Sequence, residues 1–259
     1  MNILSEEVIK DLSSPWSGNK VKLIKLNDEE IIKKTYKKNE GFVRELTSFK
    51  IIPDDMRPSL IKSNEKTKTI YMSFNPIKYK PHNIDVIMGK LLKAMHDKTI
   101  SNEKVFDPGK NIVKDDWYHY ISTYGPDWIE RIKPIKNYSI LYESLLLQLE
   151  EYKESEFSRI TIIHRDARFE NIGQKNGKYI LLDYELAIFG EPMFDVARYC
   201  MQSATSINLF LESYNLPKGM NKYLDMFIKL YSLSFLNYLV KNKHFESEDF
   251  IKCLNSLTN

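Results

Sequence analysis

Polar and apolar residues nearly alternate through Val21-Lys22-Leu23-Ile24-Lys25-Leu26, break at Asn27-Asp28, and resume through Glu30-Ile31-Ile32-Lys33-Lys34-Thr35-Tyr36. A half-buried strand has a period of two and an Asn-Asp pair supplies a turn, so the stretch predicts a hairpin. The period then lengthens: Phe42, Leu46 and Phe49, with Val43 alongside, share one face of a helix. Lys68 to Phe74 reads as a further strand closed by Asn75-Pro76. Ile84 to His96 predicts a helix, with Ile87, Leu91, Leu92 and Met95 at helical spacing and Asn83 placed to cap it. From about residue 110 the pattern is mainly helical. Asp115-Asp116-Trp117 opens one helix and Ile140 to Glu151 forms another. Two short β-type runs, Arg159 to Ile163 and Lys178 to Leu182, bracket a polar loop as a hairpin-like strand-loop-strand. Beyond Pro192 everything reads helical, notably Asn221 to Val240. A border in the Phe74–Pro81 turn region divides the chain into lobes 1–78 and 79–259.

Composition narrows the class. Of 259 residues, 42% are hydrophobic and 28% charged, with 9 Gly and 10 Pro, so the chain can bury a core and is not a disordered or low-complexity protein. The net charge of +3, from 38 basic and 35 acidic residues, is too balanced to indicate a nucleic-acid partner. Cys200 and Cys253 cannot build a disulfide framework, which points to a reducing, cytoplasmic setting. The acidic start MNILSEEVIKDL is not the pattern of a signal peptide. No run approaches the roughly 20 apolar residues that a membrane span needs.

The candidate chemistry lies in the polar loop. It reads Ile-Ile-His-Arg-Asp-Ala-Arg-Phe-Glu-Asn over 162–171, giving His164-x-Asp166-x-x-x-x-Asn171, and the next β-type run leads into Asp183-Tyr184-Glu185. This arrangement suits phosphoryl transfer from ATP. One carboxylate orients the attacking hydroxyl. An amide oxygen and a second carboxylate hold Mg²⁺, which takes hard oxygen ligands and completes its shell with phosphates and water.

The loop resembles the HxDxxxxN catalytic loop of the protein-kinase-like fold, and more narrowly that of the aminoglycoside phosphotransferase and choline kinase family. Three other stretches are similar to the family. Asp183-Tyr184-Glu185 stands where protein kinases have Asp-Phe-Gly. Gly190-Glu191-Pro192-Met193-Phe194-Asp195-Val196-Ala197 is similar to "G-D-P-x-x-D-L-A", and Leu91-Leu92-Lys93-Ala94-Met95-His96 to "L-L-x-x-L-H". The resemblance implies an α+β, two-lobed protein-kinase-like fold, with a small N-terminal antiparallel-sheet lobe and a larger, mainly helical C-terminal lobe. It implies Asp166 as catalytic carboxylate, Asn171 and Asp183 as magnesium ligands, and His164 as a structural loop member. Asp195 then holds the loop backbone, and Arg168 can neutralise charge on the transferred phosphate. His96 reads as a helix-end packing residue.

For the nucleotide, the resemblance implies a strand lysine held by a helix glutamate. Lys33 and Lys34 are adjacent candidates that face opposite sides of a strand. An apolar residue just before the lysine favours Lys33, with Glu45 as its partner ahead of Glu40. The adenine pocket is implied near Tyr71-Met72-Ser73-Phe74, with Met72 and Phe74 as cofactor-binding residues. Ser17-Gly18-Asn19-Lys20 is a weak phosphate-loop candidate, and no GxxxxGK[ST] occurs.

The acceptor is less legible. Only eleven residues separate Asp183 from Asp195, too few for the peptide-binding activation segment of a protein serine/threonine kinase. A small-molecule hydroxyl is therefore favoured over a protein, with a non-catalytic pseudokinase as the other alternative. Glu212, Glu246, Glu248 and Asp249 can serve an aminoglycoside or form an exposed charged surface. Tyr223, Phe227, Tyr231, Phe235 and Tyr238 can cage a choline-like cation or simply fill a core.

Overall fold

The computed structural model describes residues 6–13, 18–77, 81–100 and 104–258. In chain order its elements are β1 (Glu7–Asp11), β2 (Lys20–Leu26), β3 (Glu29–Thr35), α1 (Asn39–Ile51), β4 (Leu60–Asn64), β5 (Thr69–Ser73), α2 (Ile84–Lys98), β6 (Val105–Asp107), β7 (Ile112–Lys114), α3 (Trp117–Ile132) and α4 (Ser139–Lys153). Then follow β8 (Thr161–Ile163), β9 (Ile172–Lys175), β10 (Lys178–Leu181), β11 (Ile188–Gly190), α5 (Met193–Gln202), α6 (Ile207–Tyr214), α7 (Asn221–Lys241) and α8 (Glu248–Ser256). The described residues fall into two compact units. One comprises the chain up to His82 with Asp107–Ile112 and Glu170–Ala187; the other comprises Asn83–Phe106, Val113–Phe169 and the chain from Ile188.

The first unit is built on an antiparallel sheet in the order β1-β2-β3-β5-β4. The predicted hairpin is β2-β3, closing at Leu26↔Glu29. Its turn residues Asn27 and Asp28 have φ of 50° and 67°. A two-residue hairpin turn that matches strand twist needs positive φ at both positions, and Asn and Asp tolerate it best among residues with a side chain. Apolar residues line both sheet faces. Tyr36, Phe42, Phe49, Ile70 and Met72 form a core with Ile32, Val43 and Leu46 packed against it. Ile24, Leu26, Ile31 and Tyr71 form the other.

The segment 170–187 adds a hairpin of β9 and β10 to this unit. The expected strand-loop-strand over 159–182 is therefore corrected. β8 pairs with β11, β10 pairs with β9, and a short 3₁₀ turn, Phe169–Asn171, precedes β9. The second run finds a nearer ladder partner in β9, and the first pairs farther along the chain with β11. Gln174 N–H donates to the Asn75 carbonyl at 3.2 Å and the Asn75 side chain donates to the Gln174 carbonyl at 3.3 Å. This close approach requires Gly173, whose Cβ would lie 2.6 Å from the Asn75 oxygen.

In the second unit α7 packs against α3, α4, α5 and α8, and its Phe227, Leu230, Leu233 and Leu236 are fully buried. Helix α2 lies against α6. Asn83 does occupy the N-cap position of α2, but its side chain makes no capping hydrogen bond. Asp85, in the first turn, ties the helix down by accepting from the Tyr199 hydroxyl and the Ser206 N–H, both at 2.8 Å. β8, β11 and β6 form a short antiparallel ladder with β7 beyond β6, so the chain enters 164–168 directly from a buried strand.

Candidate active site

The first unit gathers one lysine and three carboxylates. Lys34 Nζ lies 2.7 Å from Glu45, 2.5 Å from Asp183 and 2.9 Å from Glu185. Glu45 is on α1, and the other two residues follow β10. The expected pairing of Lys33 with Glu45 is corrected: Lys34 makes it. Lys33 instead pairs with Glu6 and sits over the Tyr71 ring. The reason is strand parity. Lys34 shares its face with Ile32 and Tyr36, the side that α1 covers, whereas Lys33 shares the other with Ile31. An apolar neighbour could not distinguish the two, because both faces are apolar.

Burial works against the Lys34 charge, but Asp183 and Glu45 outweigh it and hold the ammonium well above its ordinary range. Burial pushes the Glu185 carboxyl up against the pull of Lys34. The Tyr36 hydroxyl also donates to Glu45, and the Asn19 amide donates to Glu185. Asn19 belongs to the weak phosphate-loop candidate, of which Ser17 lies outside the described residues, as do 78–80 of the proposed lobe border. Oxygens of Glu45, Asp183 and Glu185 come within 4.8 Å of one another. An all-oxygen, carboxylate-rich donor set fits a hard cation such as Mg²⁺.

Asn171 is buried at the end of the 3₁₀ turn, and its carbonyl accepts the Leu182 N–H at 2.8 Å, which fixes the residue before Asp183. Asp183 has φ of 65° and its side chain is 37% exposed. Tyr184 beside it is buried and bonds the Met56 carbonyl at 3.3 Å, so the aromatic anchors while the carboxylates on either side stay with Lys34. Met72 is in the core on β5, and Phe74 is half-buried just beyond that strand.

The second unit holds Asp166. Asp195, in the first turn of α5, accepts the N–H groups of His164 and Arg165, both at 2.6 Å, and meets His96 Nε2 at 3.1 Å. His96 Nδ1 meets the Tyr214 hydroxyl at 2.9 Å. His96 is thus a buried polar connector rather than only a packing residue. Burial lowers its pKa. Burial also opposes the Asp195 charge, but the hydrogen bonds from His96 and the His164 N–H outweigh it and hold the carboxyl below its usual range. Arg165 takes φ of 65°, a strained conformation for a side-chain-bearing residue. His164 Nδ1 accepts the Asp166 N–H at 3.3 Å. Arg198 Nη2 lies 3.0 Å from Asp166 Oδ1, and Arg168 Nε 3.2 Å from Oδ2. Arg198 was missed in the sequence, where no spacing links it to the loop.

Of the aromatic stripe on α7, Tyr223, Phe227 and Tyr231 are core, Phe235 is half-buried and Tyr238 is exposed. Glu212, Glu246 and Glu248 are exposed and Asp249 is half-buried.

No protein-family model matches the chain, and no curated protein matches it by sequence. Solved structures do match it. A thermostable mutant of aminoglycoside phosphotransferase APH(4)-Ia superposes at a TM-score of 0.73 and 13% identity, over 98% of this chain and 95% of its own. For a candidate fructosamine-3-kinase from Thermobifida fusca the values are 0.70, 12%, 99% and 95%. For the choline kinase LicA of Streptococcus pneumoniae they are 0.66, 16%, 98% and 93%. APH(4)-Ia variants have been crystallised with ADP and hygromycin B and with AMP-PNP and hygromycin B. Across almost its whole length, then, this chain has the α+β protein-kinase-like fold that the loop motifs implied.

Proposed function

We propose that the protein is an ATP- and Mg²⁺-dependent phosphotransferase that moves the γ-phosphate to a hydroxyl of a small molecule. The observation that carries this reading is the buried Lys34–Glu45 pair with Asp183 on the same ammonium. A charge taken out of water is retained where it has a partner and a task. Lys34 binds the nucleotide phosphates and Glu45 orients it. The nucleotide belongs to the leading lobe, residues 1–78, with Met72 and Phe74 near the base; the acceptor belongs to 79–259. Asp183 and Asn171 hold Mg²⁺, with Glu185 as an added donor. The bound ion neutralises charge on the phosphates. Asp166 accepts a hydrogen bond from the acceptor hydroxyl and aims its oxygen at the γ-phosphorus, and Arg168 offsets charge on the transferring group.

The short path from Asp183 to β11 favours a small acceptor over a peptide. The structural neighbours, which include an enzyme crystallised with hygromycin B and a choline kinase, support the same class. Two buried free thiols suit a reducing cytoplasm. The test is ATP consumption with and without chelated magnesium over aminoglycosides, choline, ethanolamine, sugars and nucleosides. Magnesium-dependent transfer to one acceptor class is expected; turnover indifferent to chelation would overturn the reading.

A further inference from the structure

Two arginines hold the two oxygens of Asp166, and they are not equivalent. Arg168 is 45% exposed, so it can leave Oδ2 at little cost, as exposed ion pairs contribute little. Arg198 is 6% exposed and built in. Its guanidinium carbon lies 5.8 Å from the Tyr231 ring centre and 6.0 Å from that of Phe235, and Nη1 reaches the Ser203 hydroxyl at 3.4 Å. Its Nε has no hydrogen-bond partner among the described residues. The guanidinium is therefore held by aromatic faces on one helix and by Asp166. A buried cation of this kind cannot release its carboxylate without being left unpaired.

We infer that Arg198 is a positioning residue: it fixes Asp166 through Oδ1 and leaves Oδ2 as the oxygen that meets the acceptor hydroxyl. The inference rests on the phosphotransferase reading above. It goes beyond it by giving the two carboxylate oxygens separate duties and by assigning a task to a residue of α5 outside the loop. Arg168 then covers Oδ2 until an acceptor displaces it.

The experiment is a double-mutant cycle between Asp166→Asn and Arg198→Met, with Arg198→Lys as the conservative variant. It is read as kcat, KM for ATP and melting temperature, with the acceptor found by screening, or with water if hydrolysis is the only turnover. Arg198→Met is expected to lower kcat about 100-fold, the scale of a misplaced reacting group, while KM for ATP stays within about 3-fold. Arg198→Lys should recover part of the loss. In the Asp166→Asn background the same change should cost less than about 3-fold, because residues that act as one unit are non-additive. A full additional loss in that background would show that Arg198 acts on the fold or the nucleotide, and overturns the inference while leaving the phosphotransferase reading standing. So does an Arg198→Met enzyme within a few-fold of wild type. If Arg198→Met does not fold, the cycle with Arg198→Lys decides by the same criterion. A wild-type protein that turns over no ATP with any acceptor overturns the phosphotransferase reading and the role of Arg198 together.

Discussion

Lys33 and Lys34 are neighbours with opposite surroundings, and substitution should separate them. Lys34→Ala removes an ammonium that faces Glu45, Asp183 and Glu185 and should weaken Mg·ATP binding by about 10–100-fold, the equivalent of a charge-assisted hydrogen bond or two. Lys33→Ala removes a half-buried pair with Glu6 and a contact with the Tyr71 ring, on the face away from Glu45, and should leave binding within about 2-fold. Calorimetric titration with Mg·AMP-PNP measures both. A silent Lys34 would contradict the nucleotide assignment. Asp183→Ala should raise the magnesium concentration needed for nucleotide binding more than Asn171→Ala does, because the carboxylate carries charge and the amide does not; equal effects would remove Asp183 from the metal role. The loop spacing made Asp166, Asn171 and Asp183 visible in the sequence, since all three lie in one short stretch. Choosing between two lysines was beyond it: Ile31 is buried on one face and Ile32 half-buried against the core on the other, so both faces are apolar. Arg198 lies 32 positions from the carboxylate it holds, and only packing brings them together.

Among elements, those with strong periodicity were legible: the β2-β3 hairpin, α1, α2 and α7. The strands β1 and β4 were not, because every residue in each is exposed and the alternation that marks a strand is missing. Both are sheet edges, where one side of the ladder is open and no face has to be apolar. β9 is four residues long and contains Gly173, too little for a pattern. The packing of α2 on α6 offers a test at this scale. A Cβ on Gly89 would stand 2.7 Å from the Phe210 carbonyl oxygen and 2.8 Å from the Tyr214 nitrogen. Backbone atoms cannot swing aside, so Gly89→Ala should destabilise the protein by about 1–3 kcal/mol through overpacking, despite the better helix propensity of alanine. Chemical denaturation checks this; a stabilised variant would mean that the two helices separate freely.

For the molecule as a whole, buried titratable groups set the response to pH. Glu191 accepts the Tyr152 hydroxyl at 2.9 Å and the Arg159 N–H at 3.2 Å, and burial pushes its carboxyl up to about 8. The folded state therefore keeps a proton that the unfolded chain releases near 4.5, and the stability linked to this group falls as pH rises from about 4.5 to about 8. Glu191→Gln should flatten that part of the melting-temperature profile; an unchanged slope would show that Glu191 is ionised in the fold. His96 acts with the opposite sign, since burial lowers its pKa: its contribution is intact above 6.5 and is lost as pH falls below 6.5 towards the lowered folded value. The Asp195 clamp has a further consequence, in time rather than energy. Two amide hydrogens of the loop that carries Asp166 are bonded to a carboxylate that is itself fully buried. Solvent reaches them only when the helical unit opens, so in heavy water His164 and Arg165 should be among the last amides to take up deuterium, slower than most strand residues. The loop then keeps its geometry for as long as the helical unit stays folded, and its two amides can serve as a clock for the unfolding of that unit.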